Sequence, residues 1–114
     1  MTYTPDNWVV LKLQEDNSEI IYKILCGWSG GYTTGDSWKI NSGIVRIVET
    51  KDYYLVHGYS GSVYECNKNS EVLRMNCAFI YNSIKQLYPE TEIVDITDIL
   101  SIFKDESIIA KSSE

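Results

Sequence analysis

The spacing of apolar positions changes at Asn69-Ser70, where a strand-forming part of the chain gives way to a mainly helical one. Before that point, Trp8 to Leu13 (WVVLKL) is apolar and β-branched, and QEDN supplies a turn. Ile20 to Trp28 (IIYKILCGW) then resumes as strand, with Ile20, Tyr22, Ile24 and Cys26 on one face by the period of two. The two runs predict a hairpin with an acidic tip. After a Gly-rich stretch, Ser37 to Asn41 returns to an extended pattern. Ile44 to Glu49, Tyr53 to His57 and Ser62 to Cys66 are three further strands, separated by Lys51-Asp52 and Tyr59-Ser60-Gly61. Connections this short predict antiparallel neighbours, because a parallel return needs a crossover of about a dozen residues or more.

Beyond Asn69-Ser70 the period becomes helical. Leu73, Cys77, Ile80, Ile84 and Leu87 form one apolar stripe, with Val72 and Phe79 beside it. Asn69 or Ser70 is placed to cap the start, and Pro89 enforces the stop. Glu92 to Ile96 predicts a last strand. Ile96, Ile99, Leu100 and Phe103 are spaced for a short helix capped by Asp95 or Thr97, and the acidic tail 105–114 is expected to fray. The expected fold is α+β, one domain over residues 1–104. It consists of an antiparallel meander of five to six strands packed on one main helix, with a short C-terminal helix. One helix covers only part of such a sheet, so the other face must be solvated, curled over, or covered by a second copy of the chain.

Length agrees with one domain, since 114 residues bury a single core and little more. The aromatic residues are skewed in kind, with nine Tyr and three Trp against two Phe. Tyr and Trp join an apolar body to a polar tip and suit half-buried positions, interfaces and pocket walls. Cys26, Cys66 and Cys77 are odd in number and form no C-x-x-C pair. Buried free thiols in a reducing cytosol fit better than a disulfide framework or a zinc site. No segment has the length of a membrane span and the N-terminus lacks a signal-peptide pattern, so a cytoplasmic protein without a membrane anchor is expected.

Charge is uneven. The chain carries −6 overall, of which residues 89–114, with seven acids against Lys104 and Lys111, hold −5. Direct nucleic-acid binding is disfavoured, since phosphate contact needs a basic face. Glu90, Glu92, Asp95 and Asp98 instead define an acidic surface that is either solubilising or open to a basic partner.

Two apparent catalytic motifs fall between Leu25 and Asn41 (LCGWSGGYTTGDSWKIN). Gly30 to Ser37 approaches a P-loop, but Asp36 stands where the motif needs Lys, and a strand follows where it needs a helix N-terminus. Gly27 to Gly31 reads G-x-S-x-G, with Asp36 or Asp52 and His57 available as partners for Ser29. The nucleophile elbow, however, also turns into a helix. His57 is the single histidine, so a His-based metal cluster is excluded, and no cofactor is expected. With the catalytic readings set aside, the stretch is a glycine-hinged aromatic turn, either a structural connection or a binding patch of Trp28, Tyr32, Trp38, His57 and Tyr59.

The segments GWSGGYTTGDSWKINSGI and HGYSGSVYEC together resemble motifs of small bacterial proteins of mobile elements, of the integron gene-cassette kind. The resemblance spans Leu25 to Cys66 and carries no catalytic residue with it. It implies a bacterial cytosolic α+β protein, often a homo-oligomer. The expected function is therefore a non-enzymatic binding domain. It would use the Gly/aromatic patch for a small ligand, a protein or a second copy. The alternative is an acidic inhibitor or immunity-type protein that blocks a basic enzyme through residues 90–106.

Overall fold

A computed structural model describes residues 1–14, 19–29 and 37–104. In chain order the elements are β1 (Thr2–Tyr3), β2 (Asn7–Gln14), β3 (Ile20–Trp28), β4 (Ser37–Ile40), β5 (Ile44–Glu49), β6 (Tyr53–Gly58) and β7 (Val63–Asn67), then α1 (Met75–Leu87), β8 (Glu92–Val94) and α2 (Leu100–Phe103). Short 3-10 turns occupy Lys68–Ser70 and Ile96–Asp98. The α+β class holds. The single meander of five to six strands does not, because the strands form two four-stranded sheets ordered β4-β3-β2-β8 and β1-β7-β6-β5. The first sheet is antiparallel throughout, while the second includes one parallel pair, Thr2 and Tyr3 beside Val63 and Tyr64.

β2 and β3 pair along their whole length, from Asn7 opposite Gly27 to Gln14 opposite Ile20. Their alternate side chains reach both faces of one sheet. Trp8, Val10, Ile24 and Cys26 pack against Ile44, Ile47, Tyr54, Val56, Tyr64 and Cys66 of the second sheet, with Ile96 and Ile99 completing that core. Val9, Leu11 and Leu25 face the other way, against Cys77, Ile80, Tyr81 and Ile84. The layers run helix, sheet, sheet. A strand buried on both faces reads as an unbroken apolar run, and this is why β2 carries the run WVVL. Gly27 leaves room for the helix, since a Cβ there would meet Cys77 Sγ at 2.7 Å and Asn7 Oδ1 at 2.8 Å.

The division into two sheets originates in the link between β4 and β5. The Asn41 N–H donates to the Ile24 carbonyl at 3.1 Å, as the next rung of the β3–β4 ladder would. The return bond comes from the side chain, for Asn41 Oδ1 accepts from the Ile24 N–H at 2.9 Å. With its own carbonyl released, the backbone leaves the first sheet. Gly43 turns it at φ +137°, a value that disfavours any side chain. The Tyr59 N–H donates to the Gly43 carbonyl at 3.1 Å and the Ser60 N–H to Ser42 Oγ at 3.0 Å. The short link thus carries the chain between layers instead of making β4 and β5 neighbours.

Helix α1 starts later than its apolar spacing predicts. Asn67, not Asn69 or Ser70, caps the 3-10 turn by accepting from the Asn69 N–H at 2.8 Å, and Arg74 precedes α1 without a side-chain cap. Residues 71–72 run extended beside β2, where the Val72 N–H donates to the Trp8 carbonyl at 3.0 Å. Leu73 still packs on the sheet from outside the helix, and Tyr81 packs there too while Leu87 does not. Leu87 and Phe79 are exposed. Each residue of a helix advances about 100°, which sets Phe79 on the far side from Cys77 and Ile84.

The corner supplies a test. Gly43→Ala is expected to lower unfolding stability by about 1–3 kcal/mol, from the disfavoured φ and from a Cβ placed 2.7 Å from the Tyr59 ring. Tyr59→Ala in the same chain removes the contact but not the backbone strain. In urea denaturation the double variant should therefore remain less stable than Tyr59→Ala alone.

Candidate functional site

The register separates the residues expected to form one aromatic patch. Trp38 pairs with Gly27 and Trp28 with Ser37, so the two indoles project from opposite faces of the first sheet. Trp28 lies on the face toward the second sheet. Its indole N–H donates to the Thr4 carbonyl at 3.0 Å, and its ring meets Tyr3 edge-on at 6.2 Å. Trp38 is exposed on the helix side, at the end of the sheet where Gly27 touches Cys77. Tyr59 covers Gly43 at the opposite end of β4. His57 projects from the outer face of the second sheet, alternate to buried Val56 and Gly58. Tyr32 lies outside the described residues. The structure does bring the two Gly/Ser-rich stretches together, through Ser42 and Gly43 against Tyr59 and Ser60.

The groups that could carry chemistry are engaged in the fold. Burial pushes the thiols of Cys26 and Cys66 well above the ordinary cysteine range and raises that of Cys77 against an opposing hydrogen bond from Asn7, and all three are free. A thiol so displaced supplies little thiolate for nucleophilic attack near neutral pH. Ser29 follows the strand end that packs inside the second sheet, and its N–H donates to Asp6 Oδ2 at 2.8 Å. His57, on the outer face of that sheet, lies with its ring nitrogens 3.1 and 3.2 Å from Arg46 Nη2, its cross-strand partner. A Ser29–His57 dyad is therefore not assembled. Among the described residues no group of three His, Cys, Asp or Glu side chains could hold a metal ion, and no helix is long and apolar enough to cross a membrane.

The four acids of the predicted acidic surface are all exposed. Glu92 lies on β8 opposite Lys12 of β2. Asp95 accepts from the Thr97 N–H at 3.0 Å and from Thr97 Oγ1 at 2.7 Å, capping the 3-10 turn. Those two bonds hold its carboxyl below the usual range. A fifth acid, Glu71, was not legible as part of this group. Its Oε2 accepts from the Ile96 N–H at 2.9 Å, tying the turn to the segment beside β2. Burial raises its pKa, the bond from Ile96 opposes the rise, and Asp95 and Asp98 add to it.

What sequence reasoning passed over is the exposed apolar surface. Met75 and Phe79, one helical turn apart, are 89% and 72% exposed on the outer side of α1. Ile20, Ile21, Tyr59 and Ile102 are also exposed, around a cleft of about 250 Å³. The signal at β3 was present in the doublet Ile20-Ile21, because adjacent apolar residues on a strand cannot share one buried face.

Glu71 and Asp95 respond to pH with opposite sign. The native pKa of Asp95 is depressed, so its stabilisation is present above about pH 3.9 and is lost as acidification passes through the lower native value. Glu71 is raised, so its contribution is present below about pH 4.3 and is lost as pH rises through the native value. Relative to the parent, Glu71→Gln should gain stability between about pH 4 and pH 7. Asp95→Asn should gain stability as the pH falls through the most acidic part of the range. Denaturant midpoints across pH read both slopes, and parallel slopes would contradict the assignment. Comparison of the chain with protein-family models, with curated proteins and with solved structures yields no match, so the geometry of the described residues is the ground on which its function is argued.

Proposed function

We propose that the chain is a non-enzymatic binding domain that acts on other proteins through apolar side chains held outside its core. The observation that carries this reading is the outer side of α1. Met75 and Phe79 lie on it largely exposed, at the end of the sheet where Trp38 projects on the same side. Aromatic and Met side chains are the residues that protein interfaces concentrate. The thiols and the Ser29–His57 pair, by contrast, are not arranged for catalysis. Clefts with apolar residues in their walls hold about 120, 250 and 320 Å³, at or below the lower end of the roughly 300–1,000 Å³ of small-molecule sites, which favours a protein over a small ligand. The motif resemblance adds a bacterial, mobile-element setting to this proposal, and a cytoplasmic location goes with it.

Trp38 is the natural reporter, because Trp8 is fully buried and Trp28 is hydrogen-bonded and half-buried. Titration with a peptide library is expected to shift Trp38 emission for apolar peptides. The double substitution Met75→Ser and Phe79→Ser should abolish the shift while changing stability by less than about 0.5 kcal/mol. If no peptide moves the emission, or if the double variant binds as well as the parent, the reading fails.

The acidic-inhibitor reading keeps one supporting observation, the exposure of Glu90, Glu92, Asp95 and Asp98 along β8 and the turn after it. It requires a basic partner whose affinity falls steeply with salt. Neutralising Glu90, Glu92 and Asp98 should weaken such a complex without touching the Asp95 cap. Binding unchanged by both salt and neutralisation would remove this reading.

A further inference from the structure

Among the described residues, the first half of β3 has a strand neighbour on one side only. β4 pairs with Leu25 to Trp28, and Asn41 closes that ladder at Ile24. Because Ile24 turns its N–H and carbonyl toward β4, alternation turns those of Tyr22 and Ile20 the same way. There they meet no hydrogen-bonding partner among the described residues. Ile20, Ile21 and Tyr22 all line the 250 Å³ cleft, together with Tyr59, Ile102 and Phe103. Three consecutive strand residues can face one cleft only if it looks onto the strand edge. Ile20 and Ile21 are 44% and 43% exposed beside it. A bare edge flanked by apolar side chains is a template for another strand.

We infer that this edge pairs with the same edge of a second copy of the chain, antiparallel and centred on Ile21. A two-fold axis through Ile21 sets Ile20 opposite the partner's Tyr22, and the reciprocal pair follows by symmetry. All of the free backbone groups of Ile20 and Tyr22 are then satisfied, as four hydrogen bonds between the copies. The same register sets Glu19 opposite the partner's Lys23, twice, which is a favourable cross-strand pair. Centring on Tyr22 would require Ile24, whose edge Asn41 already occupies. Centring on Lys23 would oppose two lysines. Charge and hydrogen-bond parity thus select one register and a second copy as the occupant. The inference goes beyond the proposed function, because it concerns a different surface from Trp38, Met75 and Phe79.

Sedimentation of the full chain with rising concentration should show a reversible shift to twice the monomer mass. Over the same range, amide exchange should slow at Ile20 and Tyr22 and stay unchanged at Ile21, whose N–H faces β2. Ile21→Lys, at a position already exposed, should leave a folded monomer. Lys23→Glu should weaken the dimer, and adding Glu19→Lys should restore it. A chain monomeric at every concentration overturns the inference, as does a dimer indifferent to Ile21→Lys or one not restored by the charge exchange. Protection of Ile20 and Tyr22 only when a different protein is added would assign the edge to a foreign strand, and also overturns it. None of these outcomes depends on whether peptides shift Trp38 emission.

Discussion

The two-sided burial of β2 is the constraint on which the rest of the fold depends. Trp8, Val9, Val10 and Leu11 are consecutive and all buried, so both faces of the sheet around them must be covered. One cover is α1 and the other is the second sheet, and a chain of this length has material for both only if its links are short. The Asn41 corner meets that need. By letting a side-chain oxygen replace the backbone carbonyl opposite Ile24, it ends one sheet and begins the next within a few residues. Trp8 ties the layers at a second point, where its indole N–H donates to the Asn67 carbonyl at 2.8 Å and its ring meets Tyr54 edge-on.

The corner also leaves a residue of strain in polar satisfaction. Asn41 Nδ2 is buried with no hydrogen-bonding partner among the described residues, pressed near Gly58, where a Cβ would come within 3.2 Å of it. A buried amide donor left unpaired costs about 1–3 kcal/mol, and here that cost accompanies the bond that Oδ1 makes to Ile24. The same economy of polar groups runs through the acidic segment. Asp95 and Glu71 order the 3-10 turn that delivers Ile96 and Ile99 to the core, so part of the negative charge near the C-terminus serves folding. A net charge read from composition cannot separate those acids from ones free to meet a partner.

Element identity was largely legible from the pattern of apolar residues. β3 and β5 match their predicted spans, and β2, β6 and β7 differ only at their ends, because period-two alternation and turn residues act locally. The helix start was misread because apolar spacing continues through Val72 and Leu73, which pack on the sheet as extended chain before α1 begins. The two-sheet arrangement was hidden for a different reason. Link length constrains which strands can be neighbours, but it does not register that a side chain can stand in for a backbone carbonyl. The aromatic patch failed on parity. Trp28 and Trp38 share a face only if they occupy the same rung or rungs an even distance apart, and the observed register offsets them by one. Nothing in the order of residues around the glycines sets that offset.

Edges complete the argument about surfaces. β1 and β8 are two and three residues long, and β5 has α2 beside it and Lys104 bridged to Ile47. Short or covered edges are how sheet proteins avoid joining one another. β4 is longer and, among the described residues, has no strand on its other side, and the ladder parity that applies to β3 turns the groups of Trp38 and Ile40 outward. Self-pairing through both groups would centre on Lys39 and set it against its own symmetry mate, a like-charge contact that opposes association. The Ile20–Tyr22 edge differs in just this respect. It carries Glu19 and Lys23 at symmetric distances from Ile21, so the charges that repel at β4 attract at β3. Two edges of one sheet, each turning the backbone groups of two residues outward, are thus told apart by where their charges fall relative to a two-fold axis.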